Sequence, residues 1–504
     1  MSSVADIIQL TKERRPPQGR SQEIFRQATQ YFTGSGLVIL SSVISYPLLT
    51  RLLTQRDYGM MTIISSSLFL AVSISKVGLQ HAAVRFYPEH SAPEQNVAFR
   101  STLFWIPILN AVALASVVLA VLSAVARRIT SYPLRTILLA AALIVVLETA
   151  QAMLLNFMRA ARQAARYTIV YTVIRYGQLG FCLATLVLVR RDLVGFYMGW
   201  LIWDVVEIAY LLYGAMFSEH TLSFAHYDSR ILKMALHFGA PLLFMEIGNM
   251  LLTYADRYVI AGSMGTVETA IYSAAYNFTS SVQGLFVTSL SSFVFPWASE
   301  IWTKHSGKET EHFASKILDY FLVIAIPACV GVAVLRTPIM VIFASSKYAS
   351  SASLLPPLIA SQISFGVYVI LSLGLYLNKR TAIMAWQMII ATGLNIFANL
   401  ILIPRIGLMG AAWAMVAANG LLLLMVMKTS LPLLRVKPDW MLLFKVVVAA
   451  IIMAIVVHSI PFTGNLSRLL VGSFVGGGIY SLLIISMDQK LRWFISRQLR
   501  TVKP

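Results

Sequence analysis

Arg135-Thr-Ile-Leu-Leu-Ala-Ala-Ala-Leu-Ile-Val-Val-Leu-Glu148-Thr-Ala-Gln-Ala-Met-Leu-Leu-Asn-Phe-Met158 carries one ionisable group, Glu148, after its first residue. An α-helix rises about 1.5 Å per residue, so about 20 apolar residues cross the hydrocarbon core of a bilayer. This stretch is long enough to do so. Thirteen others read the same way: 31–53, 59–80, 101–126, 166–189, 193–217, 236–261, 269–297, 315–343, 353–377, 382–403, 408–429, 441–459 and 466–487. No polar stretch between them is long enough to form a soluble domain. The sequence therefore predicts an all-α polytopic membrane protein with about 14 transmembrane helices.

Composition agrees with a lipid solvent. Of the 504 residues, 58% are hydrophobic and 12% charged, and the mean hydropathy is +0.74. A soluble protein carries about 25% charged residues. The net charge of +19 is explained by basic cytoplasmic loops rather than by nucleic acid, because no soluble basic domain exists to hold one. Cys182 and Cys329 both lie in apolar stretches, so neither a disulfide framework nor a metal site is expected. The first 30 residues are polar and basic, and no cleavable signal peptide is expected.

The Lys and Arg residues choose an orientation. With the N-terminus inside, the inner segments hold 27 and the outer segments 12, with Arg175 left within a span. That bias places both termini in the cytoplasm. Two segments also repeat. Leu53-Thr-Gln-Arg-Asp-Tyr-Gly59-Met60 is echoed by Met264-Gly-Thr-Val-Glu-Thr-Ala270-Ile271, and Leu186-Val-Leu-Val189, Arg190 and Gly195 by Leu400-Ile-Leu-Ile403, Arg405 and Gly410. Six spans separate equivalent positions, which predicts two parallel six-helix repeats plus two extra C-terminal helices. The boundaries expected are a basic cytoplasmic segment 1–30, bundles at 31–217 and 236–429 joined by a cytoplasmic linker 218–235, two further helices within 430–487 and a cytoplasmic tail 488–504. Transporters built from such halves carry their substrate between them.

Four stretches in order resemble the polysaccharide transporter, or oligosaccharide flippase, family. That family falls within the multidrug/oligosaccharidyl-lipid/polysaccharide exporter superfamily. They are Arg51-Leu-Leu-Thr-Gln-Arg-Asp-Tyr-Gly59, Val77-Gly-Leu-Gln-His-Ala-Ala-Val-Arg85-Phe, Gly239-Ala-Pro241 with Ala255-Asp256-Arg257-Tyr258, and Ile403-Pro-Arg-Ile-Gly407-Leu-Met-Gly410-Ala-Ala. Ala270 departs from the family's usual Gly. The resemblance implies two helical bundles working by alternating access. It also implies a lipid-linked oligosaccharide cargo, usually on undecaprenyl diphosphate, moved from the inner to the outer leaflet of a bacterial inner membrane. Surface or exopolysaccharide biosynthesis is the implied context, with membrane lipids as surroundings and polymerase and export machinery as further partners. A cation-coupled multidrug extruder and a membrane glycan polymerase or ligase are the rival readings.

Charged groups inside spans are functional candidates because burying them in lipid is costly. Glu148, Arg175, Asp204 and Glu207 fall at similar depth, and Glu246 is a further acid in span seven. As a group they suit H⁺ or Na⁺ coupling; a salt bridge that fixes helix register is the plain alternative. Arg51, Arg85 and Arg257 lie toward helix ends, and Arg159 and Arg162 match Lys379 and Arg380 in the second half. The diphosphate implied by the family suits guanidinium forks. Interfacial arginines that reach to lipid phosphate give the same pattern. Pro47, Pro107, Pro241 and Pro327 sit inside spans, where each removes a backbone hydrogen bond and permits a bend. There is no phosphate-cradling Gly-x-x-x-x-Gly-Lys-Ser/Thr motif and no His pair at metal spacing. No catalytic residue, metal or cofactor is assigned.

Overall fold

A computed structural model describes residues 36–38, 40–90, 93–125, 132–161, 163–217, 222–284, 289–304, 306–461 and 464–487. Helices account for nearly all of them, and no strand occurs among the described residues. In order these are α1 (Gly36–Leu52), α2 (Gln55–Lys76), α3 (Leu79–Phe86), α4 (Pro93–Val125), α5 (Tyr132–Ala160), α6 (Ala164–Leu188), α7 (Leu193–Phe217), α8 (Ser229–Ser263) and α9 (Thr266–Gln283). There follow α10 (Ser289–Lys304), α11 (Gly307–Val334), α12 (Arg336–Phe343), α13 (Leu355–Leu371), α14 (Leu373–Leu377), α15 (Thr381–Ile406), α16 (Leu408–Ser430), α17 (Trp440–Ser459) and α18 (Asn465–Met487).

Twelve spans among the described residues are long and apolar enough to cross a membrane. Of the 14 expected spans, the first and the one over 269–297 run over residues outside the described ones; their described parts are α1, and α9 with α10. The turn after α1 is shorter than expected: α2 begins at Gln55, and Thr54 and Asp57 exchange two hydrogen bonds across its first turn (2.7 and 3.1 Å). That is the side-chain capping geometry that satisfies free N–H groups at a helix start.

The helices pack as two compact units. The first holds described residues up to Ser41, with Ala71–Val189 and Phe196–Leu242; the second holds Ser42–Leu70, Arg190–Gly195 and Leu243–Pro504. The division passes through α1, α2, α7 and α8. In the first unit, Leu79, Ala83, Phe99, Leu103, Met153 and Phe157 centre a buried cluster. One close approach in this unit is backbone on backbone. Gly78 has φ +77°, a conformation that costs a side-chain-bearing residue energy, and a Cβ there would lie 2.0 Å from the carbonyl oxygen of Gly239.

In the second unit, the two repeat-related turns meet. A Cβ on Gly59 would lie 1.8 Å from the carbonyl oxygen of Thr266 and 3.2 Å from the nitrogen of Ala270. Small residues at such crossings let helix backbones approach closely, which drives packing where lipid weakens the hydrophobic drive between helices. Side chains then stitch the start of this unit to its later part. Tyr46 donates to the carbonyl of Ala274 (2.9 Å) and Arg51 to that of Ile342 (2.5 Å). Lys347 Nζ donates to the carbonyls of Leu53 (2.6 Å) and Arg51 (3.5 Å), while Gln55 donates back to the carbonyl of Lys347 (2.6 Å). Lys347→Met is expected to lower stability by about 1–3 kcal/mol, since hydrogen bonds from a charged donor are lost and two carbonyls lose their partner. Thermal unfolding of the detergent-solubilised protein reads this directly.

Candidate functional site

Three helices of the first unit each present a polar pair three residues apart: Glu148 and Gln151 on α5, Arg175 and Gln178 on α6, Asp204 and Glu207 on α7. Residues at i and i+3 share a helix face, so each helix turns two polar groups the same way. Gln151 donates to Glu207. Trp200 Nε1 and Gln178 Nε2 both donate to Glu148 Oε1, at 3.1 and 3.4 Å. Arg175 donates to Gln178 Oε1 at 3.1 Å, and its guanidinium lies 5.2 Å from the centre of the Tyr171 ring.

Glu148, Asp204 and Glu207 are buried; Asp204 is 0% exposed. Neither Asp204 oxygen has a hydrogen-bond partner among the described residues, and neither does Glu207 Oε2. The direct Arg175–carboxylate pairing expected from sequence takes a different form. Gln178 stands between Arg175 and Glu148 as acceptor on one side and donor on the other. The arginine still lies near enough for its charge to act on Glu148 and Glu207. Three carboxylates with one guanidinium leave room for cations. Gln151, Gln178 and Trp200 were not anticipated as participants. Their signal in the sequence is the i+3 spacing of the two glutamines from Glu148 and Arg175.

The second unit holds a different polar cluster. Asp256 and Arg257 are 0% and 2% exposed and approach to 3.5 Å. Tyr272 donates to Asp256. Arg257 donates to the carbonyl of Thr253 (2.7 Å) and to Asn277 Oδ1 (3.4 Å), and lies 4.8 and 4.7 Å from the Tyr254 and Tyr276 ring centres. Asn277 in turn donates to Tyr58 (3.0 Å). Arg257 was expected near a helix end facing cargo; it is enclosed and its donors are engaged.

The other candidates are dispersed. Arg51 is exposed and bonds the carbonyls of Ile342 and Pro47 rather than Asp57. Arg85 is exposed, paired with Glu89 at 2.7 Å. Arg159 is exposed beside the Tyr167 ring, at 5.7 Å. Lys379, at φ +58°, and Arg380 are exposed in the turn from α14 to α15. Glu246 is half-buried on α8 and engaged by a neighbour. Arg162 lies outside the described residues.

Comparison with known proteins bears on this arrangement. A family model described as polysaccharide biosynthesis protein matches residues 48–353. Membrane protein MJ1068 of Methanocaldococcus jannaschii is 24% identical over 213 residues, 41% of either chain. Agl15 of Haloferax volcanii, named a probable low-salt glycan biosynthesis flippase, is 27% identical over 169 residues, 34% of this chain and 36% of its own. The chain thus spans well under two thirds of these curated relatives. The solved structure of the lipid II flippase MurJ, in an inward closed conformation, superposes with a TM-score of 0.72 at 17% identity, over 93% of this chain and 99% of that one. At that identity the likeness speaks for the fold. The family match covers more than half the residues, and the fold carries twelve membrane-length spans; this multi-pass membrane protein belongs to the polysaccharide biosynthesis protein family.

Proposed function

We propose that this protein moves a lipid-linked oligosaccharide, on an undecaprenyl diphosphate type of carrier, from the inner to the outer leaflet of a bacterial inner membrane by alternating access. Both termini face the cytoplasm, and the product feeds surface or exopolysaccharide biosynthesis. The family match over residues 48–353 carries the reading. The names of two similar proteins, a glycan biosynthesis flippase and a lipid II flippase, support it.

The exposed cations Arg51, Arg85, Arg159, Lys379 and Arg380 are the groups proposed to meet the diphosphate. Arg162 is proposed with them from its place in the sequence. An anionic headgroup leaving a negative cytoplasm moves with the membrane potential, worth about 2.3 kcal/mol per charge per 100 mV. Resetting is assigned to entry of H⁺ or Na⁺ at Glu148, Asp204 and Glu207, whose field Arg175 trims; Glu246 is a further candidate acid. The unbonded oxygens of Asp204 support this choice.

The experiment is reconstitution in liposomes with a polyprenyl diphosphate oligosaccharide, following its accessibility to an external glycosidase. Asp204→Asn and Glu207→Gln are expected to slow transfer on the order of 5–150-fold, the range of ordinary coupling energies, and to blunt its response to ionophores. If Glu148→Gln, Asp204→Asn and Glu207→Gln all leave rate and ionophore response unchanged, the acids have no coupling role. Export of small amphipathic cations without movement of the diphosphate lipid overturns the flipping reading itself.

A further inference from the structure

Apart from the acid network, the first unit contains a small open cleft. Its walls come from the end of α5 (Leu154, Phe157), the end of α7 (Gly214), Tyr87 and two arginines, Arg100 of α4 and Arg166 of α6. No acid lines it. Arg100 is half-buried, lies 5.4 Å from the Phe157 ring centre, and its Nε has no hydrogen-bond partner among the described residues. Arg166 is exposed and makes a long contact, 3.5 Å, to Gln163. The two guanidinium groups are near enough to repel.

Two like charges turned into one cleft repel each other, and an anion between them relieves the repulsion. A third positive element is present. Gln163 caps α6 without a side-chain hydrogen bond, so the first N–H groups of that helix and the positive end of its dipole remain available. Arginine forks fit phosphate oxygens in pairs. The apolar wall of Leu154, Phe157, Met158 and Leu211 suits the glycerol or first methylenes behind a headgroup.

We propose that the cleft between Arg100 and Arg166 binds the phosphate of an anionic headgroup at the membrane–water boundary. The Lys and Arg bias assigns this end of the helices to the cytoplasm. The site is separate from the acid network and does not depend on the chain moving oligosaccharide. A glycerophospholipid and a free phosphate or diphosphate present the same chemistry.

The test uses the full chain purified in neutral detergent and native mass spectrometry with phosphatidylglycerol, phosphatidylcholine and inorganic pyrophosphate. Wild-type protein is expected to retain phosphatidylglycerol about tenfold better than Arg100→Gln or Arg166→Gln, the loss typical of one charge-assisted hydrogen-bonded group. Retention of zwitterionic phosphatidylcholine should be equal in all three. Arg191→Glu, at an exposed turn elsewhere, controls for net charge and should bind as wild type. Displacement by pyrophosphate assigns the site to phosphate groups in general; arginine-dependent retention that pyrophosphate does not displace assigns it to a membrane-anchored lipid. Arg166 is exposed, so Arg166→Glu keeps the test valid if Arg100 variants fold poorly. Equal retention by wild type and Arg166→Glu overturns the proposal, as does an equal loss in Arg191→Glu.

Discussion

Arg257→Leu is expected to remove roughly 3–5 kcal/mol of stability, the usual result of stripping one partner from a buried pair, and to leave little monodisperse protein after extraction. Asp256 would then remain 0% exposed, with the Tyr272 hydroxyl and the backbone N–H of residue 257 as donors and without its neighbouring cation. The arginine also fills the space between the Tyr254 and Tyr276 rings and holds the carbonyl of Thr253. Arg257→Lys should recover only part, because an ammonium lacks the planar fork that reaches Thr253 and Asn277 together. Asp256→Asn combined with Arg257→Leu should be less harmful than Arg257→Leu alone, since the orphaned carboxylate is gone. Melting curves of the three variants decide between roles. If Arg257→Leu melts with the wild type and only transport falls, the residue serves cargo rather than the fold.

Gly59→Ala is expected to be nearly as damaging. Its new Cβ would sit 1.8 Å from a backbone oxygen of Thr266, and a carbonyl fixed at a helix start cannot rotate aside as a side-chain tip does. Overpacking in well-ordered interiors costs about 1–3 kcal/mol, and a backbone clash belongs at the upper end. The matched control is Gly180→Ala, where a Cβ meets nothing within 4 Å. A fluorescence-detected size-exclusion profile should show loss of the monodisperse peak for Gly59→Ala and none for Gly180→Ala. Wild-type behaviour of both would mean that α2 and the start of α9 do not pack as closely as described.

The contact at Gly59 also accounts for the departure at Ala270 noticed in the sequence. Ala270 is buried at 0% exposure, and its nitrogen faces the bare side of Gly59 at 3.2 Å from the Cβ position. The backbone of Thr266 and Ala270 comes this close because Gly59 carries no side chain. A single chain read in order shows two similar turns; that they lie against each other is a tertiary fact.

Other parts of the molecule divide in the same way. Long apolar runs declare membrane helices because lipid cannot hydrogen-bond a bare backbone, and that signal survives without knowledge of neighbours. Intramembrane acids were visible for the same reason, and α5, α6 and α7 bring Glu148, Arg175 and Glu207 together. Their connections run through Gln151, Gln178 and Trp200. Neutral side chains of this kind are common at helix–helix contacts and give no hydropathy signal of their own. Arg257 shows the opposite difficulty. Its place near the end of a hydrophobic run suggests water or cargo, yet it is 2% exposed beside Tyr254, Tyr276 and Asn277. Arg100 and Arg166 were overlooked because arginines at span ends are ordinarily accounted for by lipid headgroups.

The stitching of Ser42–Leu70 to later residues has a consequence for biogenesis. Lys347 follows Leu53 by 294 positions, and Ala274 follows Tyr46 by 228. At about 5–20 residues per second, a ribosome needs on the order of 15–60 s between the two ends of the longer span. Through that interval the early hairpin has left the insertion channel while its permanent companions are unsynthesised. It must be shielded by lipid or by an insertion factor, so a stalled chain ending before Lys347 should be the species that quality-control proteases find first.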